Sequence, residues 1–213
     1  AIELSAAGRE TCRAEASRVD DLLAAPEPAD QAAVAEALEG LASCLRGARA
    51  HADARSALEH AVVARERSCP EGCGELVGAL HALGGACLRA GDPGAARAAF
   101  EKALAMAERV NGPDHPDVGI VLNTLGNVCQ DLGDLPAARA AYERSLEIRE
   151  KVFGAESPQA AMVINGLASV AQSEGDFARA VTFNDPSGEP VVVRARWILD
   201  ATELGDLLPL AGV

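Results

Sequence analysis

This sequence predicts an all-α fold built from repeated helix pairs. Three observations predict it: a composition rich in Ala and Leu, a recurrence of the same residues every 42 positions, and helical spacing of the apolar residues within each recurrence. Hydrophobic residues make up 49% of the 213 and aromatics only 3%. The apolar content is therefore mostly Ala, Leu and Val. Ala and Leu favour helix, and small residues let helices pack closely.

Several columns of residues share the 42-residue register. Leu41, Leu83, Leu125 and Leu167 form one, and Ala54, Ala96, Ala138 and Ala180 another. Gly91-Asp92, Gly133-Asp134 and Gly175-Asp176 keep the same spacing, as do Leu58, Phe100 and Tyr142, and Ala61, Ala103 and Ser145. Agreement of independent columns in one register marks a repeat architecture.

Within one unit, Ile120, Leu122, Leu125, Val128 and Cys129 recur at three and four residues, which puts a stripe on one helix face. Gly133-Asp134 breaks that helix, Gly being common just past a helix end. A second helix is expected from Pro136, with Ala138, Tyr142, Leu146 and Ile148 at helical spacing and a stop near Phe153-Gly154. Ser157-Pro158 then supplies an N-cap and a first-turn proline, and Asp114-His115-Pro116 does the same one repeat earlier.

The pattern Leu125-Gly126-x-x-Cys129, Gly133-Asp134, Ala138, Tyr142 and Ser145 resembles the tetratricopeptide repeat. The 42-residue period, with Gly112 to Pro116 and Gly154 to Pro158 between units, is similar to the longer variant of kinesin light chains. Two units are clear (76–117 and 118–159). A first unit (34–75) is degenerate, and a fourth stops after its first helix. In the first unit Arg49-Ala50 replaces Gly-Asp, and Cys69 to Gly74 replaces the usual linker. Atypical end units are expected in a stacked array. The expected organisation is a capping helix in 1–30 (Arg9 to Ala25), a repeat array in 31–180, and an extended tail in 181–213.

The resemblance implies a right-handed superhelix of antiparallel helix pairs whose concave face is lined by the first helix of each pair. Register then assigns groove positions: Glu39, Ser43 and Arg46; His81, Gly85 and Arg89; Asn123, Asn127 and Asp131; Asn165, Ser169 and Ser173. The asparagines offer both donors and an acceptor to an extended peptide backbone. Otherwise these are simply the solvent-facing positions of amphipathic helices. The implied function is a scaffold that binds a protein or peptide partner, as part of a larger bacterial signalling or regulatory protein, with no cofactor and no catalysis.

After Ala180 the pattern changes. Val181-Thr182-Phe183, an Asn184 to Gly188 turn cluster and Pro190 to Asp200 read as a β-hairpin. The missing second helix of the fourth unit is expected to leave Leu167 and Val170 uncovered, with the tail folding back on them. The alternative is a loose tail that promotes self-association. Ala195 to Asp206 resembles an internal segment of FAD-dependent oxidoreductases, although Glu203 stands where that family usually has Gly. The nucleotide-binding G-x-G-x-x-G run is absent from the chain. A truncated or fused flavoenzyme fragment is the alternative function, and a non-native junction is the reading preferred for the tail.

The formal net charge of −13 repels nucleic acid and anionic membranes, and the arginines are scattered singly. The charge reads either as a solvated surface or as an acidic groove for a basic peptide. No apolar run reaches the ~20 residues of a membrane span. A cytoplasmic setting is expected, with both chain ends cut from a longer protein. The six cysteines are accordingly expected as reduced thiols. Cys69-x-x-x-Cys73 offers two zinc ligands without a recognisable second half, so two surface thiols are the simpler reading. Cys87 and Cys129, 42 apart, read as core residues.

Overall fold

The computed structural model describes residues 4–24, 30–174, 180–184 and 190–194, with side chains described as far as residue 174. The described residues form nine helices followed by a two-stranded antiparallel ribbon. The chain divides into two compact units, Ala1–Asp117 and Val118–Val213.

The first unit begins with α1 (Ala6–Thr11) and α2 (Arg13–Leu23). The single helix expected from Arg9 to Ala25 is broken at Cys12, whose backbone (φ −112°, ψ 43°) leaves the helical region. The cause is tertiary. Cys12 is joined to Cys44 by a disulfide with Cα atoms 6.0 Å apart. Ser5 caps α1 by accepting from the Gly8 amide at 3.0 Å. Its own hydroxyl and amide donate to the Asp53 carboxylate.

Three helix pairs follow the repeat register. In the first unit, α3 (Gln31–Gly47) pairs with α4 (His51–Ser68), and α5 (Gly74–Arg89) with α6 (Pro93–Asn111). In the regular pairs the caps are local. Asp92 accepts from Ala95 N at 2.9 Å, and Gly91 before it takes φ 81°, a conformation that costs an L residue energy but not glycine. In the first pair Arg49 occupies that place at φ 60°, and Ala50 gives α4 no side-chain cap. The core of this unit runs through Leu38, Leu41, Leu45, Leu58 and Leu76. Leu83 is only partly buried and packs at its edge.

The second unit begins two residues into α7 (Pro116–Asp131) and contains α8 (Leu135–Phe153) and α9 (Pro158–Ser173). Asp134 caps α8 through Ala137 N at 3.2 Å, and Ser157 caps α9 through Ala160 N at 3.2 Å. His115 Nδ1 accepts from Asp117 N at 3.2 Å, so the expected His-Pro start of α7 holds within the first unit. Leu122, Leu125, Val128 and Cys129 are buried as the stripe predicts. Ile120 is 47% exposed, because the buried face of α7 runs through Val118, Val121 and Leu122 instead. Tyr142 is 1% exposed. Its ring lies so close to Gly126 and Gly166 that a Cβ at either would meet it at 2.7 Å. The Leu-Gly step is therefore a packing requirement: the small residue admits the aromatic edge. Phe100 and Gly84 repeat the arrangement in the first unit, at 2.6 Å.

Val170 is fully buried and Leu167 half-buried, and the expected fold-back of the tail onto them falls on side chains outside the described residues. Val170 lies one turn beyond Gly166, on the helix face that meets Tyr142 of α8. The ribbon pairs β1 (Ala180–Asn184) with β2 (Pro190–Arg194), Thr182 opposite Val192, as the hairpin reading expects. The segment likened to flavoenzymes, Ala195 to Asp206, lies outside the described residues.

The cysteine expectation is corrected. Cys12–Cys44 and Cys69–Cys73 are disulfides. The first pairing joins residues 32 apart, a proximity that spacing does not reveal. Cys87 and Cys129 keep their thiols and are buried, as expected for core residues. Burial pushes the Cys87 thiol above its ordinary pKa.

Candidate peptide-binding faces

In the first unit a cavity of about 310 Å³ opens between α3, α4 and α5. Its lining combines Ala42, Leu58, Ala79 and Ala82 with the charged and polar Glu39, Ser43, Arg46, Arg65, Glu75 and Arg89. Four of these, Glu39, Ser43, Arg46 and Arg89, were groove positions by register. Arg46 stands one residue before the strict register equivalent of Arg89, yet both reach the same cavity. The Arg89 guanidinium lies over Gly85, with Nη2 3.5 Å from where a Cβ would stand.

Arg65 and Glu75 were not anticipated. Arg65 forks onto Glu39, Nε to Oε1 at 2.9 Å and Nη2 to Oε2 at 3.0 Å. The Glu39 hydrogen bond, chiefly, raises its pKa, and the nearby Glu75 carboxylate adds to the effect. His81 does not line this cavity. It is half-buried, its ring set edge-on to Phe100 with centroids 5.2 Å apart, and burial lowers its pKa.

In the second unit the register positions are Asn123, Asn127 and Asp131 on α7 and Asn165, Ser169 and Ser173 on α9. Asn127, Asp131, Asn165 and Ser173 are exposed, while Asn123 and Ser169 are half-buried. A hydrogen-bonded chain joins several of them. The buried Tyr142 hydroxyl donates to Asn127 Oδ1 at 2.5 Å and lies 3.3 Å from Gln130 Oε1. Gln130 Nε2 donates to Ser169 Oγ at 2.6 Å. Burial first, then the Asp131 and Cys129 charges, pushes the Tyr142 pKa up to about 12, so the hydroxyl stays protonated and able to donate. With Oδ1 engaged by the Tyr142 hydroxyl, the exposed Asn127 keeps its amide N–H groups as donors. Ser145 is buried and donates to the Gly119 carbonyl at 2.6 Å, which ties α8 to α7. Ser173 returns its hydroxyl to the Ser169 carbonyl at 3.0 Å.

Arg149, too, was missed by inspection of the groove columns. It is 6% exposed, and its Nη1 donates to the Gln159 carbonyl at 2.9 Å. Its buried Nε has no hydrogen-bond acceptor among the described residues. Burial lowers its pKa. The signal was in the sequence: Arg149 and Arg65 occupy one column two periods apart.

Among the described residues no group of three or more His, Cys, Asp or Glu could hold a metal ion. Nor is any described helix long and apolar enough to cross a membrane.

A tetratricopeptide repeat family model matches residues 75–151 and 120–184, together a little over half the chain. No curated protein matches the sequence. Among solved structures, BtubC (BKLC) from P. vanneervenii is similar at 21% identity and a TM-score of 0.64, over 81% of this chain and 69% of that one. Kinesin-light-chain-type, nearly identical TPR-like repeats from Podosopora anserina are similar at 17% identity and a TM-score of 0.68, over 79% of each chain. The first TPR of Spaghetti (RPAP3), bound to the HSP90 peptide SRMEEVD, is similar at 15% identity and a TM-score of 0.50, over 71% of this chain and 99% of that one. At these identities the likeness is one of fold. None of these comparisons supports the flavoenzyme resemblance of the tail.

Proposed function

From the premise that the chain belongs to the tetratricopeptide repeat family, we propose that it is a protein-interaction scaffold that binds an extended peptide segment of a partner along the first helices of its repeats. The observation that carries the reading is Asn127: an exposed amide whose oxygen is fixed by a hydroxyl from the core, so that its donors are oriented before any ligand arrives. An amide that served only to meet water would need no such anchor. Pre-orientation lowers the ordering cost of binding. Asn165 and Asn123 extend the same row in the second unit, and the cavity at Ser43, Arg46 and Arg89 offers a second contact area in the first.

The fold supports this reading, since a structural relative carries a bound peptide. A place in a bacterial signalling pathway is a proposal on the same footing, and so is the boundary of the array at residue 180; the cytoplasmic setting is a proposal against which the two disulfides weigh. Selection of displayed random peptides on the full chain, and separately on a chain carrying Asn123→Ala, Asn127→Ala and Asn165→Ala, tests the reading. Peptides enriched on the first and lost on the second are the expected result. Equal enrichment on both would refute it.

A further inference from the structure

We propose that Cys69 and Cys73 form a thiol–disulfide exchange site in the linker between α4 and α5, opened by a dithiol reductant, with Cys73 as the sulfur that leaves. The two disulfides of the first unit differ in placement. Cys12 is fully buried, and Cys44 packs against the core. Cys69 and Cys73 are half-buried in a short loop whose Pro70 and Glu71 are exposed, so a small thiol reaches them. They are only 4 residues apart, against 32 for the other pair, so their bond restrains little of the unfolded chain.

The repeat register shows what Cys73 does once the bond opens. Cys73, His115 and Ser157 stand 42 apart in one column, at the start of the first helix of each pair. Ser157 Oγ accepts from Ala160 N at 3.2 Å, and His115 Nδ1 accepts from Asp117 N at 3.2 Å. Cys73 has the extended backbone of an N-cap, φ −154° and ψ 165°, yet its side chain caps nothing, because its sulfur is tied to Cys69. Opening the bond frees that sulfur for the place an acceptor fills in the other two units. A thiolate there faces the unpaired N–H groups and the positive end of α5. Arg109 adds a cation at the loop, its Nη2 2.7 Å from where a Cβ of Gly72 would stand. Glu71 and Glu75 oppose it but are exposed, where solvent screens them. Cys69 sits at the opposite pole. It is the C-cap of α4, where the helix dipole disfavours a thiolate, and the Arg65 carbonyl lies 3.1 Å from its Sγ, ready to accept from an S–H.

The stabilised thiolate is the better leaving group, which sets the direction of exchange. One thiolate of the dithiol attacks Cys69 Sγ. A mixed disulfide forms, the Cys69–Cys73 bond breaks, and its electron pair leaves on Cys73. The second thiolate of the dithiol attacks its own sulfur in the mixed disulfide and expels Cys69, which takes up a proton. The reductant ends as a cyclic disulfide, two electrons poorer, and the chain holds two separate sulfurs. Arg65, one turn before Cys69, and Glu75, two residues after Cys73, line the cavity of the first unit, so the exchange takes place beside it.

The test is graded reduction of the full chain by dithiothreitol at neutral pH, quenched with iodoacetamide and mapped by mass spectrometry. Cys69 and Cys73 should be alkylated together at a dithiothreitol concentration lower by about tenfold or more than Cys12 and Cys44 require. Opening of both bonds at one concentration, or of Cys12–Cys44 first, overturns the exchange site. Brief exposure to glutathione should place the mixed disulfide on Cys69 roughly fivefold more often than on Cys73. An even split, or a preference for Cys73, overturns the direction of exchange. At a dithiothreitol concentration that opens only this pair, the unsubstituted chain should melt with Cys73→Ser and about 2–4 °C above Cys73→Ala. Melting level with Cys73→Ala would show that the freed sulfur caps nothing and overturn the role given to Cys73.

Discussion

The first helix pair, α3–α4, and the regular pairs around α6 and α8 reach one architecture by different chemistry. In the regular pairs each signal is local: glycine at positive φ, aspartate as N-cap, proline in the first turn, and an aromatic ring seated on glycine. The first pair has none of these at the turn. Arg49 takes the left-handed conformation and Ala50 leaves the helix start uncapped. Bonds from outside the pair hold it instead: the Cys12–Cys44 disulfide and Arg55 donating to Asp92 at 3.0 Å, while the Arg65–Glu39 fork ties α4 to α3. A degenerate repeat can thus keep its geometry when contacts from beyond the unit replace its own caps.

That contrast can be broken from either side. The largest expected effect is on the regular side. Tyr142→Ala removes a ring wedged between two glycines and also releases Asn127, and it should cost about 3–5 kcal/mol in a denaturant titration. Leu125→Ala should cost about 2–5 kcal/mol by the same measurement. A change below about 0.5 kcal/mol in either would mean that the register is wrong.

On the other side, Cys12→Ala with Cys44→Ala should cost roughly 3–4 kcal/mol, the loop-closure expectation for a bridge of this span. Little change would show that packing alone holds α2 on the first pair.

Making the first pair resemble the regular ones should stabilise it. Arg49→Gly relieves a left-handed L residue and Ala50→Asp supplies the absent cap, together worth about 1–2 kcal/mol by thermal unfolding. The converse change, Asp134→Ala, should cost about 1 kcal/mol.

These outcomes follow what the sequence made legible. The helix pairs, the caps at Asp92, Asp134 and Ser157, and the burial of Phe100 and Tyr142 were readable because each depends on neighbours within one repeat. The exposure of Ile120 and the partial burial of Leu83 were not, since a stripe read at three- and four-residue spacing leaves its edges undefined. The Cys12–Cys44 pairing and the break it makes between α1 and α2 depend on tertiary approach and carried no local signal. Of the groove positions, His81 turned toward Phe100 because an imidazole is apolar enough to fill a gap beside a ring. Arg65 and Arg149 escaped notice because they sit on second helices, away from the columns read as groove.

His81 yields the smallest expected effect. Burial lowers its pKa from the ordinary 6.5, so the folded chain holds the neutral ring while the unfolded chain binds a proton. Stability from this source is complete above about pH 6.5 and is lost as pH falls below it. The gap in melting temperature between pH 7.5 and pH 5 should therefore be smaller in His81→Phe than in the unsubstituted chain.

The central claim is that the asparagine row of the second unit is a ligand surface, and side-chain amide resonances report on it directly. In an NMR titration with a peptide selected on the full chain, the Nδ2 resonances of Asn123, Asn127 and Asn165 should shift in a saturable manner. Those of Asn111, bonded to Asp117 at 3.1 Å in the first unit, should stay in place. Shifts absent from all three, in a sample where the peptide is demonstrably bound, would contradict the account.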